Sequence, residues 1–127
     1  MVPEKPTPLR VLVVDDEPLI RWSLAETLVD LGHSVSEAGD AAGAIEAVRS
    51  DEPDVIVLDY RLPDSNDLSL LARIREMAPA SAVIMMTAYG TPEMQRDALA
   101  LGAWRVVSKP FEVNEMAVLV RRAASGG

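Results

Sequence analysis

The chain is predicted to be an α/β domain, doubly wound, with a parallel five-stranded sheet in the order 2-1-3-4-5. Apolar, valine-rich runs alternate with segments of helical period, five of each, which is the pattern of strand-then-helix units joined by right-handed crossovers. Four of the runs stop on a polar residue: 9–14 on Asp15-Asp16, 55–58 on Asp59, 82–86 on Thr87 and 104–108 on Lys109. The runs also differ in apolarity. A strand flanked on both sides and both faces must be almost wholly hydrophobic, as strands one, three and four are. His33, Ser34, Ser36 and Glu37 mark strand two as an edge, and Arg105 and Ser108 do the same for strand five. With two and five outside, the switch point falls between strands one and three, where a crevice opens at the carboxyl ends.

Each element has its own signal. Residues 9–15 form a short run between a proline-rich start and Glu17-Pro18, so they are predicted as a buried strand. From Leu19 the period changes, with Ile20, Leu24 and Leu28 spaced at i, i+4 and i+8, joined by Ala25 and Leu31, and Gly32 stops this first helix. Residues 33–38 alternate weakly. Asp40 then opens a helix carrying Ala44, Ile45 and Val48 that ends near Glu52-Pro53. Residues 54–59 are the second continuous valine-rich run, and residues 60–67 are a polar loop with Pro63, ending on the helix caps Asn66 and Asp67. Leu68, Leu70, Leu71 and Ile74 give the third helix, residues 82–87 the fourth strand, and residues 92–101 the fourth helix, closed by Gly102. Residues 104–108 form the fifth strand, and Met116, Leu119, Val120 and Ala123 make the last helix amphipathic.

A chain of 127 residues, about half apolar, suits one domain with a single core. We expect a disordered tail over residues 1–8, the folded unit over 9–124 and a linker stub or C-terminal tail over 125–127. The first eight residues hold three prolines and no apolar segment, so neither a signal peptide nor a membrane anchor is expected and the cytoplasm is the default location. Cysteine is absent, which excludes disulfides and thiolate metal sites. A formal net charge of −8 disfavours direct binding to nucleic acid or an anionic membrane.

The chemistry lies at the strand ends. Asp15, Asp16 and Asp59 would repel one another unless a cation compensates them, and a site of oxygen donors without His or Cys suits Mg²⁺. Beside such an ion the Asp59 carboxylate can attack phosphorus to give an acyl phosphate, without a general base. Lys109 supplies positive charge and Thr87 a hydroxyl for a phosphoryl oxygen. Singly, each residue has a plainer role: Asp16 as a cap for the helix starting at Pro18, Asp59 as a turn aspartate, Thr87 as a strand residue, Lys109 as a solvated cation. It is their coincidence at strand ends that argues for a shared site. Met85 and Met86 are expected in packing, and His33, Arg121 and Arg122 on the solvated surface.

Four ordered motifs, Val13-Val14-Asp15-Asp16-Glu17, Leu58-Asp59-Tyr60-Arg61-Leu62-Pro63, Met86-Thr87-Ala88-Tyr89-Gly90 and Ser108-Lys109-Pro110-Phe111, closely resemble the receiver domain of two-component response regulators. The resemblance spans roughly residues 9–124 and implies a flavodoxin-like (βα)5 fold. It implies that a partner histidine kinase phosphorylates Asp59 with Mg²⁺, that Asp16, Asp59 and the Arg61 carbonyl ligate the metal directly, and that Asp15 acts through a bound water. Thr87 would move onto the phosphoryl group and Lys109 would pair with it, with Lys109-Pro110 a candidate cis peptide. The only chemistry implied is self-catalysed phosphoryl transfer and autodephosphorylation, so the domain signals and is not an enzyme. The loop wording looks most like receivers attached to ATPase-type transcriptional activators, which implies an output domain in a longer protein. A twin could pair through helix four, strand five and helix five, with Met94, Gln95, Leu99, Val118 and Arg122 as contacts.

Two departures from the family pattern stand out. Val106 occupies the position of an aromatic switch residue, so an aromatic rotamer cannot report phosphorylation here, and Asp67 replaces a glycine at the approach to helix three. Two other classes compete with a phosphoacceptor: a phosphatase with an aspartyl nucleophile, disfavoured because Arg61 stands where its second aspartate belongs, and a phosphorylation-independent interaction domain.

Overall fold

The computed structural model describes residues 7–126. Five strands and five helices alternate along the chain: β1 (Arg10–Val14), α1 (Pro18–Asp30), β2 (Ser34–Ala38), α2 (Ala41–Ser50), β3 (Val55–Asp59), α3 (Ser69–Met77), β4 (Ala82–Thr87), α4 (Pro92–Ala100), β5 (Arg105–Ser108) and α5 (Val113–Ala124). All pairings are parallel and the order is β2-β1-β3-β4-β5, as the apolarity of the runs requires. This is the flavodoxin-like architecture. The tail expected over residues 1–8 falls for residues 1–6 outside the described residues, as Gly127 does at the other end; Thr7 and Pro8 are exposed and carry no regular structure.

Period-two alternation along the inner strands makes two apolar layers. Leu12, Val14, Ile56, Leu58, Val83 and Met85 pack against α2, α3 and α4 through Ala44, Val48, Leu71, Ile74 and Ala98. Val11, Val13, Val55, Val57, Ile84 and Met86 pack against α1 and α5 through Leu24, Leu28, Met116, Val120 and Ala123. Both methionines of β4 are therefore core, as expected. Trp104 is half-buried against the second layer, and Val106 packs against the first. Gly32 and Gly102 follow α1 and α4 at φ 95° and 106°, left-handed values that glycine adopts without steric cost.

Three local expectations need correction. His33 is buried, not solvated: its Nδ1 accepts the backbone N–H of Leu9 at 3.0 Å, so it satisfies the amide just ahead of β1. Its pKa is lowered by burial and by the nearby Arg121 guanidinium. Leu31 lies past the end of α1 and is 59% exposed, so it leaves the core stripe that Leu24 and Leu28 share. The expected pair of caps on α3 reduces to Asp67, whose Oδ1 accepts the N–H and hydroxyl of Ser69 at 2.9 and 2.6 Å, while Leu68 holds the cap position itself.

Candidate functional site

Register brings the strand ends together. Val14 lies opposite Leu58, so Asp15 and Asp59 are neighbours one step on; Asp59 pairs with Met86, and Thr87 pairs with Ser108 just before Lys109. Asp15, Asp59 and Lys109 continue the side-chain row of Val13, Val57 and Val107, which faces α1 and α5. Aliphatic packing thus gives way to charge at the last position of that row. Asp15, Asp59 and Thr87 are nonetheless buried, and Asp16 is exposed at the rim.

One carboxylate oxygen from each of Asp15, Asp16 and Asp59 can be chosen so that all lie within 4.8 Å of one another. The Lys109 ammonium donates to Asp15 Oδ2 at 2.8 Å and Asp59 Oδ2 at 3.1 Å, and reaches Glu17 Oε1 at 3.5 Å. Burial pushes the Asp59 carboxyl up to about 6, with Asp15 adding to the shift and Lys109 and the Arg61 N–H opposing it. Burial works against the Lys109 ammonium, but its bonds to Asp15 and Asp59 outweigh that and hold its pKa above the ordinary value. A single lysine therefore leaves the acids under-compensated. Donors that are all hard oxygens, in a cluster one ion can span, fit Mg²⁺.

The loops around the cluster are held by specific contacts. Asp16 does not cap α1; Glu17 holds the cap position and donates its N–H to Asp15 Oδ1 at 2.9 Å. Arg21, reaching back from α1, donates to the Asp15 carbonyl at 2.6 Å and pairs with Glu37 at 3.2 Å. The Arg61 N–H points at Asp59 Oδ1 at 3.4 Å, and the exposed Arg61 guanidinium lies 5.7 Å from the Tyr89 ring. Thr87 Oγ1 accepts the Tyr89 N–H at 3.2 Å, and the turn closes on this side chain because Gly90 has no Cβ: one added there would stand 2.7 Å from Thr87 Cγ2. Lys109-Pro110 is cis, as expected, and the Lys109 N–H donates to the Thr87 carbonyl at 2.8 Å.

Asp15, Asp16, Asp59 and Lys109 thus meet in one cluster, with Thr87 and the Arg61 backbone beside it. Sequence reasoning missed Arg21, a half-buried helix cation with no spacing signal. It also missed an apolar groove of about 570 Å³ beside Lys109, lined in part by Leu19, Ile20, Tyr89, Phe111 and Val113.

Comparison with known proteins agrees with this arrangement. Residues 11–121 match the family model of the response regulator receiver domain. The probable transcriptional regulatory protein TcrX of Mycobacterium tuberculosis is 38% identical over 114 residues, covering 90% of this chain and 49% of TcrX. The DNA-binding transcriptional regulator NtrC of Escherichia coli is 37% identical over 115 residues, covering 91% of this chain and 24% of NtrC. Among solved structures, the receiver domain of NtrX from Brucella abortus superposes with a TM-score of 0.83 at 34% identity, covering 92% of this chain and 99% of that one. The chain thus spans half or less of the length of these curated relatives. Sequence match, strand order and strand-end chemistry coincide, and the chain belongs to the response regulator receiver domain family of two-component systems.

Proposed function

We propose that the chain accepts a phosphoryl group on Asp59 from a histidine kinase in the cytoplasm and converts that event into altered association. The observation that carries the reading is the Lys109 bridge between two buried carboxylates inside a three-acid cluster. Asp16, Asp59 and the Arg61 carbonyl would hold Mg²⁺, with Asp15 acting through a water. When bound, the ion neutralises charge on the acids and on the phosphoryl oxygens. An Asp59 oxygen attacks phosphorus, the bond from phosphorus to the donor's histidine nitrogen breaks, and the electron pair leaves with the imidazole. Lys109 is already within hydrogen-bond reach of the attacking carboxylate, and the Thr87 hydroxyl turns from the Tyr89 amide to a phosphoryl oxygen. The same pocket later admits water for autodephosphorylation.

A kinase must dock where its phosphohistidine reaches Asp59, and the rim there is apolar. Leu19 and Trp22 are 75% and 58% exposed on α1, and the groove beside Lys109 runs between α1 and the start of α5. The receiver unit runs over residues 9–124, from just before β1 to the end of α5, and delivers its signal to an output domain of a longer protein. With Val106 in place of an aromatic residue, the signal leaves through Thr87 and the loop to Gly90. It reaches α4, β5 and α5, where Leu99 and Val118 are exposed and available to a twin.

Acetyl phosphate with Mg²⁺ tests the reading by intact mass. The unaltered chain is expected to gain one phosphoryl group and lose it again on standing, while Asp59→Asn gains none. No gain in the unaltered chain would leave the interaction-domain alternative standing.

A further inference from the structure

The loop that follows the acceptor is fastened to a helix that carries none of the site's residues. Asp64 Oδ1 accepts the Ala41 N–H at 2.7 Å and its Oδ2 accepts the Ala42 N–H at 3.1 Å. Both amides belong to the first turn of α2, whose leading N–H groups have no partner within the helix. The helix has a cap of its own, since Asp40 Oδ1 accepts the Gly43 N–H at 2.7 Å. Asp64 is therefore a second acidic group on one helix start, supplied from 23 residues away. Its pKa is lowered, first by the bond from Ala41, so it clasps α2 as a carboxylate.

The turn bearing Asp64 is stiff. Leu62 and Ser65 exchange backbone bonds at 2.8 and 3.2 Å across Pro63-Asp64, and the Leu62 side chain is buried in the layer that α2 covers. Arg61 directly precedes this turn. On the other side, the segment leading into α2 starts from Ala38, whose carbonyl accepts the Asp15 N–H at 3.1 Å. The clasp therefore ties the Arg61 side of the acid cluster to the Asp15 side by a route outside the sheet.

We infer that Asp64 is a positioning residue for the cation site: by holding α2 it fixes the Arg61 backbone relative to Asp15 and Asp16. This rests on the proposed metal site. A role confined to capping α2 would equal that of Asp40, which makes Asp40 the control. Mg²⁺ binding to the full chain is measured by calorimetry beside thermal unfolding, for Asp64→Ala, Asp64→Asn and Asp40→Ala. Asp64→Ala is expected to weaken Mg²⁺ about tenfold, in the range for residues that orient metal ligands. Asp64→Asn, keeping one acceptor oxygen, falls between Asp64→Ala and the unaltered chain. Asp40→Ala loses thermal stability as a missing cap does but keeps its Mg²⁺ affinity within about twofold. Equal affinity changes for Asp64→Ala and Asp40→Ala, or none for either, would overturn the inference while leaving the metal site intact. Absence of Mg²⁺ binding by the unaltered chain would overturn both.

Discussion

Along β1, β3 and β4 the middle residues and the last ones are buried almost alike, yet their chemistry is opposite. Val13, Val57 and Ile84 are 0% exposed; beyond them come Asp15 at 0%, Asp59 at 6% and Thr87 at 3%. Each aliphatic side chain taken from water stabilises the fold by about 1.5–3 kcal/mol. Each acid taken from water opposes folding unless something compensates its charge. The middle of the sheet therefore secures the fold, and its carboxyl edge holds the charges that a cation and a phosphoryl group would answer. The proposed function thus falls where the structure is least at ease.

The largest effect should come from damaging the secure region. Ile56 is fully buried on the central strand, so Ile56→Ala is expected to cost about 2–5 kcal/mol in chemical denaturation. An equal loss on removing an acid would mean that the two regions contribute alike. The opposite sign is expected at the edge. Asp59 keeps its proton to a pH of about 6 when folded, against 3.8 ordinarily, so the folded state binds more protons across that window and its stability falls as pH rises through it. Asp59→Asn should therefore gain on the unaltered chain between pH 4 and 6 in metal-free buffer and hold a steady lead of about 3 kcal/mol above it. His33, with its lowered pKa, is common to both chains and cancels in the difference. A lead independent of pH would break the comparison, and loss of the lead on adding Mg²⁺ would sharpen it.

Legibility in the sequence follows the same division. The sheet order could be derived because burial on two faces leaves a run such as Val55 to Leu58 no room for polar residues. The acid cluster could be found because strand ends in a doubly wound sheet have a known place. His33 was misplaced because a polar residue in an edge strand ordinarily meets solvent, and only the three-dimensional fit shows Leu9 offering it an amide. Leu31 was misplaced because periodicity continues in sequence after the helix has stopped. Arg21 and Asp64 were invisible for another reason: each acts through backbone atoms of a distant segment, the Asp15 carbonyl and the Ala41 and Ala42 amides, and backbone partners leave no residue pattern to read.

Asp16 gives the smallest effect on stability and the sharpest cut between the regions. It shares the cluster with Asp15 and Asp59 but is exposed, so water already solvates its charge and folding has little to gain or lose from it. Asp16→Asn should leave unfolding within about 0.5 kcal/mol of the unaltered chain, as surface substitutions generally do. A metal held as proposed would still need its oxygen, and calorimetry should show Mg²⁺ binding weakened about tenfold or more. Asp59→Asn, by contrast, should weaken the metal and raise stability together. If Asp16→Asn also stabilised the fold, charge repulsion alone would account for the edge, and burial would lose its part in the division drawn here.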